Sequence, residues 1–441
     1  MKRLSRIPIV LLLVVMAVPL AASAQSITYT AGFQVQNLDP SNSATIQIIF
    51  YNQNGSIAAT VNDTIPAGGS KTYFPLSAVS DGFNGSVVIS SDREIRAIAN
   101  ILGNGTAYGA SYGGFTAGAT TVYVPLLMKA NSGFNTWFNI QNTGSSPANV
   151  TINYSDGLTA SCNNLQPGAA CTLNQATEGH ASGWVGSAII TANQPVAVTV
   201  MEVGPTTLFA YDGFTGGSTD VAMPLVNANN AGYITGIQIM NLGTTNTDVT
   251  VSYTPSLAGT ACTETKTVQA GRSETFALRA FALTEAGENC VNGAKFIGSA
   301  RITGNSANQP LVAIVNQLNS GANKGAAYEG FDPSSATSAV VMPLIMDRNS
   351  NYWTGFSVAN VGTASTTVTC TFSGSSHTES ATLDPGEALT ALQNGVIANG
   401  YVGSATCTAS GGGKIVGVVN ELNSVLTGDA FLVYDAFNIG P

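Results

Sequence analysis

The chain has 441 residues with 15 Lys+Arg and 24 Asp+Glu, a formal net charge of −9, and only 9% charged residues, where ordinary soluble domains carry about a quarter. This balance excludes the basic footprint that nucleic acid or an anionic membrane surface would require. Gly, Ser, Thr, Asn and Ala fill the polar positions instead. With little charge to keep copies apart, the expected partners are the chain itself or other cell-surface components.

Residues 1–24 read as a secretory signal peptide. Lys2, Arg3 and Arg6 form a charged start, residues 7–20 are apolar, and Ala22-Ser23-Ala24 is a small-residue cleavage site. Cleavage would leave Gln25 first and 12 Lys+Arg against 24 Asp+Glu. The expectation is a secreted protein, extracellular or at the cell surface, with no membrane insertion of the mature chain.

Four imperfect copies of one module follow. They end in Tyr112-Gly-Gly-Phe115, Tyr211-Asp-Gly-Phe214, Tyr328-Glu-Gly-Phe331 and Tyr434-Asp-Ala-Phe437, with Phe-to-Phe periods of 99, 117 and 106 residues. A period near 100 is domain-sized, so each copy can hold its own core. The boundaries fall at 25–117, 118–216, 217–334 and 335–441, the third copy carrying an insertion.

Within a copy, apolar residues recur with period two. Phe33/Val35, Phe138/Ile140, Ile237/Ile239 and Phe356/Val358 alternate with polar neighbours, which predicts a half-buried strand ending at Asn37, Asn142, Asn241 or Asn360. These Asn residues are expected to cap their own turns. Further strands are predicted around Ile46/Ile48/Phe50 and its sisters, the Gly-Ser segments after residue 85, and the run into Tyr-x-x-Phe. Copies two to four also open with a strand: Val122-Tyr-Val-Pro-Leu-Leu, Val221-Ala-Met-Pro-Leu-Val and Val341-Met-Pro-Leu-Ile. Copy one lacks it, and its edge is expected to be open to strand addition. About seven short strands per copy give an all-β fold: four tandem immunoglobulin-like antiparallel β-sandwich domains after a cleaved signal peptide. Residues 275–286 are the best candidate for a short helix.

Six cysteines, two in each of copies two to four, predict disulfides Cys162–Cys171, Cys262–Cys290 and Cys370–Cys407. Cys370 and Cys407 replace inward-facing apolar residues and are expected to meet across the core. Cys262 and Cys290 bracket the insertion. A metal site is the alternative reading of these cysteines. With only His180 and His377 and no CxxC spacing, no metal or cofactor is expected.

The chemistry-bearing residues do not form a catalytic pattern. Both histidines read as loop residues, and no nucleophile elbow or phosphate loop occurs. The acidic residue of the end motif (Asp212, Glu329, Asp435) is Gly113 in copy one. It reads as a turn residue at a junction, with calcium binding as the alternative. An aromatic precedes each Gly-Ser: Phe83, Trp184, Phe296 and Tyr401. These, with Trp137 and Trp353, are candidate sugar-stacking residues, against packing at a sandwich corner.

Stretches such as Phe138-Asn-Ile-Gln-Asn-Thr-Gly, Leu383-Asp-Pro-Gly386 and Gly403-Ser-Ala-Thr resemble uncharacterised secreted bacterial proteins built from tandem immunoglobulin-like repeats. The resemblance implies a surface or extracellular location and brings no catalytic residues. The function expected is a non-enzymatic structural or adhesive protein, its modules strung as a rod and self-assembling through module ends and edge strands. The alternative is a multivalent polysaccharide-binding array.

Overall fold

A computed structural model describes residues 9–13, 27–105, 107–277, 290–291, 293–423 and 425–440. Nearly all regular structure is antiparallel β-sheet; among the described residues the only helical turn is a 3-10 turn at Ser410–Gly412. The helix expected at 275–286 begins on the end of strand Ser273–Phe276, and most of it lies outside the described residues.

The repeats share one topology. In the third, one layer pairs Asp220–Ala228, Phe296–Gly304, Thr247–Ala258 and Cys262–Val268 in that order, and the other pairs Ser273–Phe276, Ile234–Asn241, Leu311–Asn319 and Lys324–Glu329. The second copy fuses the layers through one long strand, Trp184–Val203. The first three layer pairs have eight strand positions rather than about seven, and the fourth has a ninth, Phe437–Ile439, on its opening strand. The added strands flank the Pro-Gly turn, as Ile57–Ile65 and Ser70–Tyr73 do. They are sheet edges in which Thr, Ser, Asn and other polar residues interrupt the apolar ones, so the period-two signal is weak.

The alternation read from sequence is the burial pattern. Ala44, Ile46, Ile48 and Phe50 are buried, and Thr45 and Gln47 are exposed. The four Asn caps do more than close their own turns. Asn360 Oδ1 accepts the Gly362 N–H at 3.0 Å, while its Nδ2 donates to Ala364 O at 2.9 Å and Leu383 O at 3.0 Å. The same triple contact recurs at Asn142 and Asn241. Each amide is buried and ties one layer to the turn of the other. Asn360→Ala is therefore expected to cost roughly 2–3 kcal/mol, because buried carbonyls and an N–H lose their partner. Urea denaturation at fixed pH measures it, and a loss under about 0.5 kcal/mol would contradict the assignment.

All three disulfides form as paired in the sequence reading, and no cysteine is free. One detail differs. Cys370 and Cys407 face each other on neighbouring strands of a single sheet, with Cα atoms 3.9 Å apart, rather than across the core. Both are fully buried. The register explains this: Ile48↔Ile89, Ile152↔Ile190 and Val251↔Ile302 are the equivalent cross-strand pairs in the other copies.

The repeats do not form a rod. The closing strands Tyr108–Gly113, Leu208–Asp212, Lys324–Glu329 and Phe431–Asp435 lie side by side around one axis, the first also against the fourth. Each core is completed by residues of the next repeat. Met201, Leu208 and Ala210 join the first core, Ile314 the second, Val418, Phe431 and Val433 the third, and Ile98 the fourth. Polar pairs recur at the same seam: Asn316 Nδ2 donates to Glu202 Oε2 at 2.7 Å, Gln317 Nε2 to Asn420 Oδ1 at 3.2 Å, and Asn100 Nδ2 to Glu421 Oε2 at 2.9 Å. At the seam between the first and second repeats the equivalent pair is apolar, Ile101 and Met201 in one cluster. The same head-to-tail contact is thus made four times and closes on itself, as a heterologous interface does when its rotation fits a ring.

Candidate functional site at the ring axis

The end motif builds the axis. Its Tyr lies in the core: the Tyr211 hydroxyl takes the Leu126 N–H at 3.2 Å and donates to Leu126 O, so the closing strand clamps the opening strand of its own repeat. Tyr328 does the same to Leu225, and Tyr434 to Leu344. The Phe of each motif, Phe115, Phe214, Phe331 and Phe437, lines a cavity of about 680 Å³.

The residue after Tyr carries the charge. Asp212, Glu329 and Asp435 converge on this cavity from three repeats, with Gly113 in the fourth place. Each acid accepts the backbone N–H of its equivalent in the preceding repeat. Gly113 donates to Asp212, Asp212 to Glu329, and Glu329 to Asp435 at 3.3 Å. The circuit stops at Gly113, which has no side chain to offer Asp435. The surface these carboxyls keep faces the cavity, so burial raises all three. The Glu329 charge raises Asp212 and Asp435 further, and Glu329 shares a hydrogen bond with Asp435. Such a cluster holds its protons more tightly than three separate exposed carboxyls would. Among the described residues no three of His, Cys, Asp or Glu stand in a metal-ligating arrangement. These acids are turned onto backbone N–H groups and onto each other.

At the opposite end of the closing strands Asp429 joins all four repeats. Its own N–H donates to Ala107 O at 2.9 Å, its Oδ2 accepts the Leu208 N–H at 2.7 Å, and its Oδ1 accepts the Gly325 N–H at 2.8 Å. The side chain is fully buried. Burial pushes the carboxyl up to about 8, against the pull of the two N–H groups and Lys324. Glu202 and Glu421, buried at the seams, are likewise pushed up to about 8.

The aromatics proposed for sugar stacking are spread over four cores. Phe296 and Trp137 are buried, at 2% and 5% exposure, and offer no ring face to a ligand. The other three that precede a Gly-Ser lie over their own strands. A Cβ at Gly85 would fall 2.7 Å from the Phe83 ring, one at Gly186 2.5 Å from Trp184, and one at Gly403 2.4 Å from the Tyr401 hydroxyl. The ring covers the glycine two residues on, where the neighbouring strand comes too close for a side chain. Trp353 is half-buried, its indole N–H enclosed without a partner.

His180 lies in a loop, as read from the sequence, but it is buried. It is 4% exposed and stacks on Trp184 at 3.7 Å, with Nδ1 2.7 Å from Asp156 Oδ2 and Nε2 2.9 Å from Gln175 Oε1. Burial raises Asp156, but the His180 and Leu158 hydrogen bonds outweigh it and hold the carboxyl low. Both ring nitrogens are engaged, so the imidazole is locked as a packing element. His377 pairs with Glu379 at 3.0 Å. No protein-family model matches the chain, and no significant match is found among curated proteins.

Proposed function

We propose that the chain is a secreted, non-enzymatic structural or adhesive component of the cell surface, built as four immunoglobulin-like sandwiches closed into a ring. One observation carries this reading: the residues that recur in the repeats are committed to holding the molecule together. The motif Tyr clamps the opening strand, the acid joins neighbouring repeats, the Phe lines the axis and the Asn ties the layers. Three disulfides and the absence of any membrane-crossing helix among the described residues are compatible with an extracellular protein.

On this reading the module ends are used inside the ring, and contacts between molecules fall to sheet edges. Fractionation of the native culture, followed by electron microscopy, tests it. The protein is expected in the medium or envelope fraction as compact four-lobed particles, free or attached to the surface. Retention in the cytoplasm would overturn the reading.

A further inference from the structure

In repeats two to four the opening strand lies antiparallel on the Gly-Ser strand, with Val122↔Ile190, Val221↔Ile302 and Val340↔Cys407. Repeat one has no such strand of its own. Its place is taken by Ile9–Leu13, from the segment read as the leader, in the same register: Leu11↔Ile89. The described residues just after the cleavage site, from Thr28 to Asn37, lie in the other layer. Strand Tyr29–Asn37 pairs with Ile95–Gly103 in the other layer, and Thr28 exchanges hydrogen bonds with Asn104 there.

A second observation marks the same slot. In the other three repeats the motif tyrosine hydroxyl is held by the backbone of the opening strand, at Leu126, Leu225 or Leu344. In repeat one Tyr112 is 2% exposed and its hydroxyl has no partner among the described residues. The paired leader strand ends at Leu13, opposite Val87. That is the place of Val124, opposite Ala188, two residues short of the position that Leu126 fills.

We propose that the mature protein is a strand acceptor: the Gly85–Ser91 edge of repeat one takes an antiparallel, uncharged apolar strand donated by another chain. The three native occupants of the equivalent slot define its chemistry. Val122-Tyr-Val-Pro-Leu-Leu, Val221-Ala-Met-Pro-Leu-Val and Val340-Val-Met-Pro-Leu-Ile share apolar residues at the first and third places, then Pro-Leu. The ladder shifts register around this proline in all three, where a missing N–H costs no pairing. The Leu backbone after it would satisfy Tyr112. The donor is a different protein, because the opening strands of a second copy are already engaged in their own sandwiches. Strand addition of this kind gains affinity from main-chain hydrogen bonds and specificity from alternate side chains.

The inference rests on removal of the leader, so mass spectrometry first fixes the N-terminus of the secreted protein. That protein is then titrated with a synthetic peptide of residues 121–128, with a scrambled peptide as control, and hydrogen exchange is followed at Gly85–Ser91. Saturable 1:1 binding is expected, with slowed exchange on that strand. Tyr112→Phe is expected to weaken the peptide about tenfold through one lost buried hydrogen bond, with little change in unliganded stability. Should the protein fail to refold alone, the peptide and not its scramble is expected to rescue refolding.

No binding by protein that begins at Gln25 would overturn the acceptor and leave the secreted reading standing. A secreted chain that still carries residues 9–13 would overturn the cleavage reading, and with it the open slot. Concentration-dependent dimers that protect Gly85–Ser91 would overturn the separate donor in favour of a second copy.

Discussion

Replacing Asp429 with alanine is expected to lower the unfolding free energy by roughly 3–5 kcal/mol, since two buried N–H groups then lack an acceptor. Those groups are Leu208 and Gly325, and they belong to different repeats. Without the carboxyl, the second closing strand loses its hydrogen bond to the loop of the fourth, and the third keeps there only the Lys324 amine on Leu426 O and Gly428 O. Asp429→Asn keeps one carbonyl acceptor and is expected to lose about half as much. Urea denaturation gives the free energies, and hydrogen exchange at Leu208 and Gly325 shows where the structure loosens. If Asp429→Ala stays within about 0.5 kcal/mol of the parent, as ordinary surface changes do, the hub role is wrong.

The second large effect is on pH dependence. Glu202, Glu421 and Asp429 are pushed up to about 8 by burial, and Asp212, Glu329 and Asp435 are also raised. In the unfolded chain such groups titrate near 4. Between the two values the folded chain keeps protons that the unfolded chain has released. The contribution of Glu202, Glu421 and Asp429 is therefore complete below about pH 4 and is lost as pH rises towards about 8, with a slope near 1.4 kcal/mol per pH unit for each group, and the three axial acids act in the same direction. Asp63, Asp156 and Asp347 act oppositely. Burial alone would raise them, but hydrogen bonds and nearby cations hold them low, so their contribution falls away in acid.

Stability is thus expected to peak on the acid side of neutrality and decline towards pH 8. The seam between the fourth and first repeats should yield first, because Glu421 lines a residual cavity of about 180 Å³ there. Glu421→Gln and Glu202→Gln are expected to flatten the decline and raise stability at pH 8, with little change at pH 4. Denaturation curves from pH 4 to 8 decide the matter. Stability that rises across that range would contradict the assignment.

Much of the fold was legible in the sequence because a half-buried strand writes its burial as alternation. The Asn caps and the three cysteine pairs followed from comparing copies. The edge strands were missed because Thr, Ser and Asn interrupt their alternation. Closure was missed for a different reason. Phe431-Leu-Val-Tyr434 and Leu208-Phe-Ala-Tyr211 are unbroken apolar runs, the mark of a strand buried on both faces. That signal says a second surface covers the strand without saying whose. Only a ring brings Asp212, Glu329 and Asp435 together, so three acids spaced a module apart read singly as turn residues. Gly113 looked like an imperfect copy of the motif, whereas in the structure it is where the hydrogen-bonded circuit ends. The packing of the aromatics was not legible because only the fold shows that each Gly-Ser glycine takes the ring before it.

Small-angle scattering of the chain from residue 25 onwards tests the closed arrangement most directly. A ring that packs the first repeat against the fourth predicts a radius of gyration near the compact-domain value for residues 25–441, roughly 22 Å. Four sandwiches laid end to end, each about 30 Å long, would instead give roughly 35 Å and the profile of an elongated particle, and that result would contradict the account.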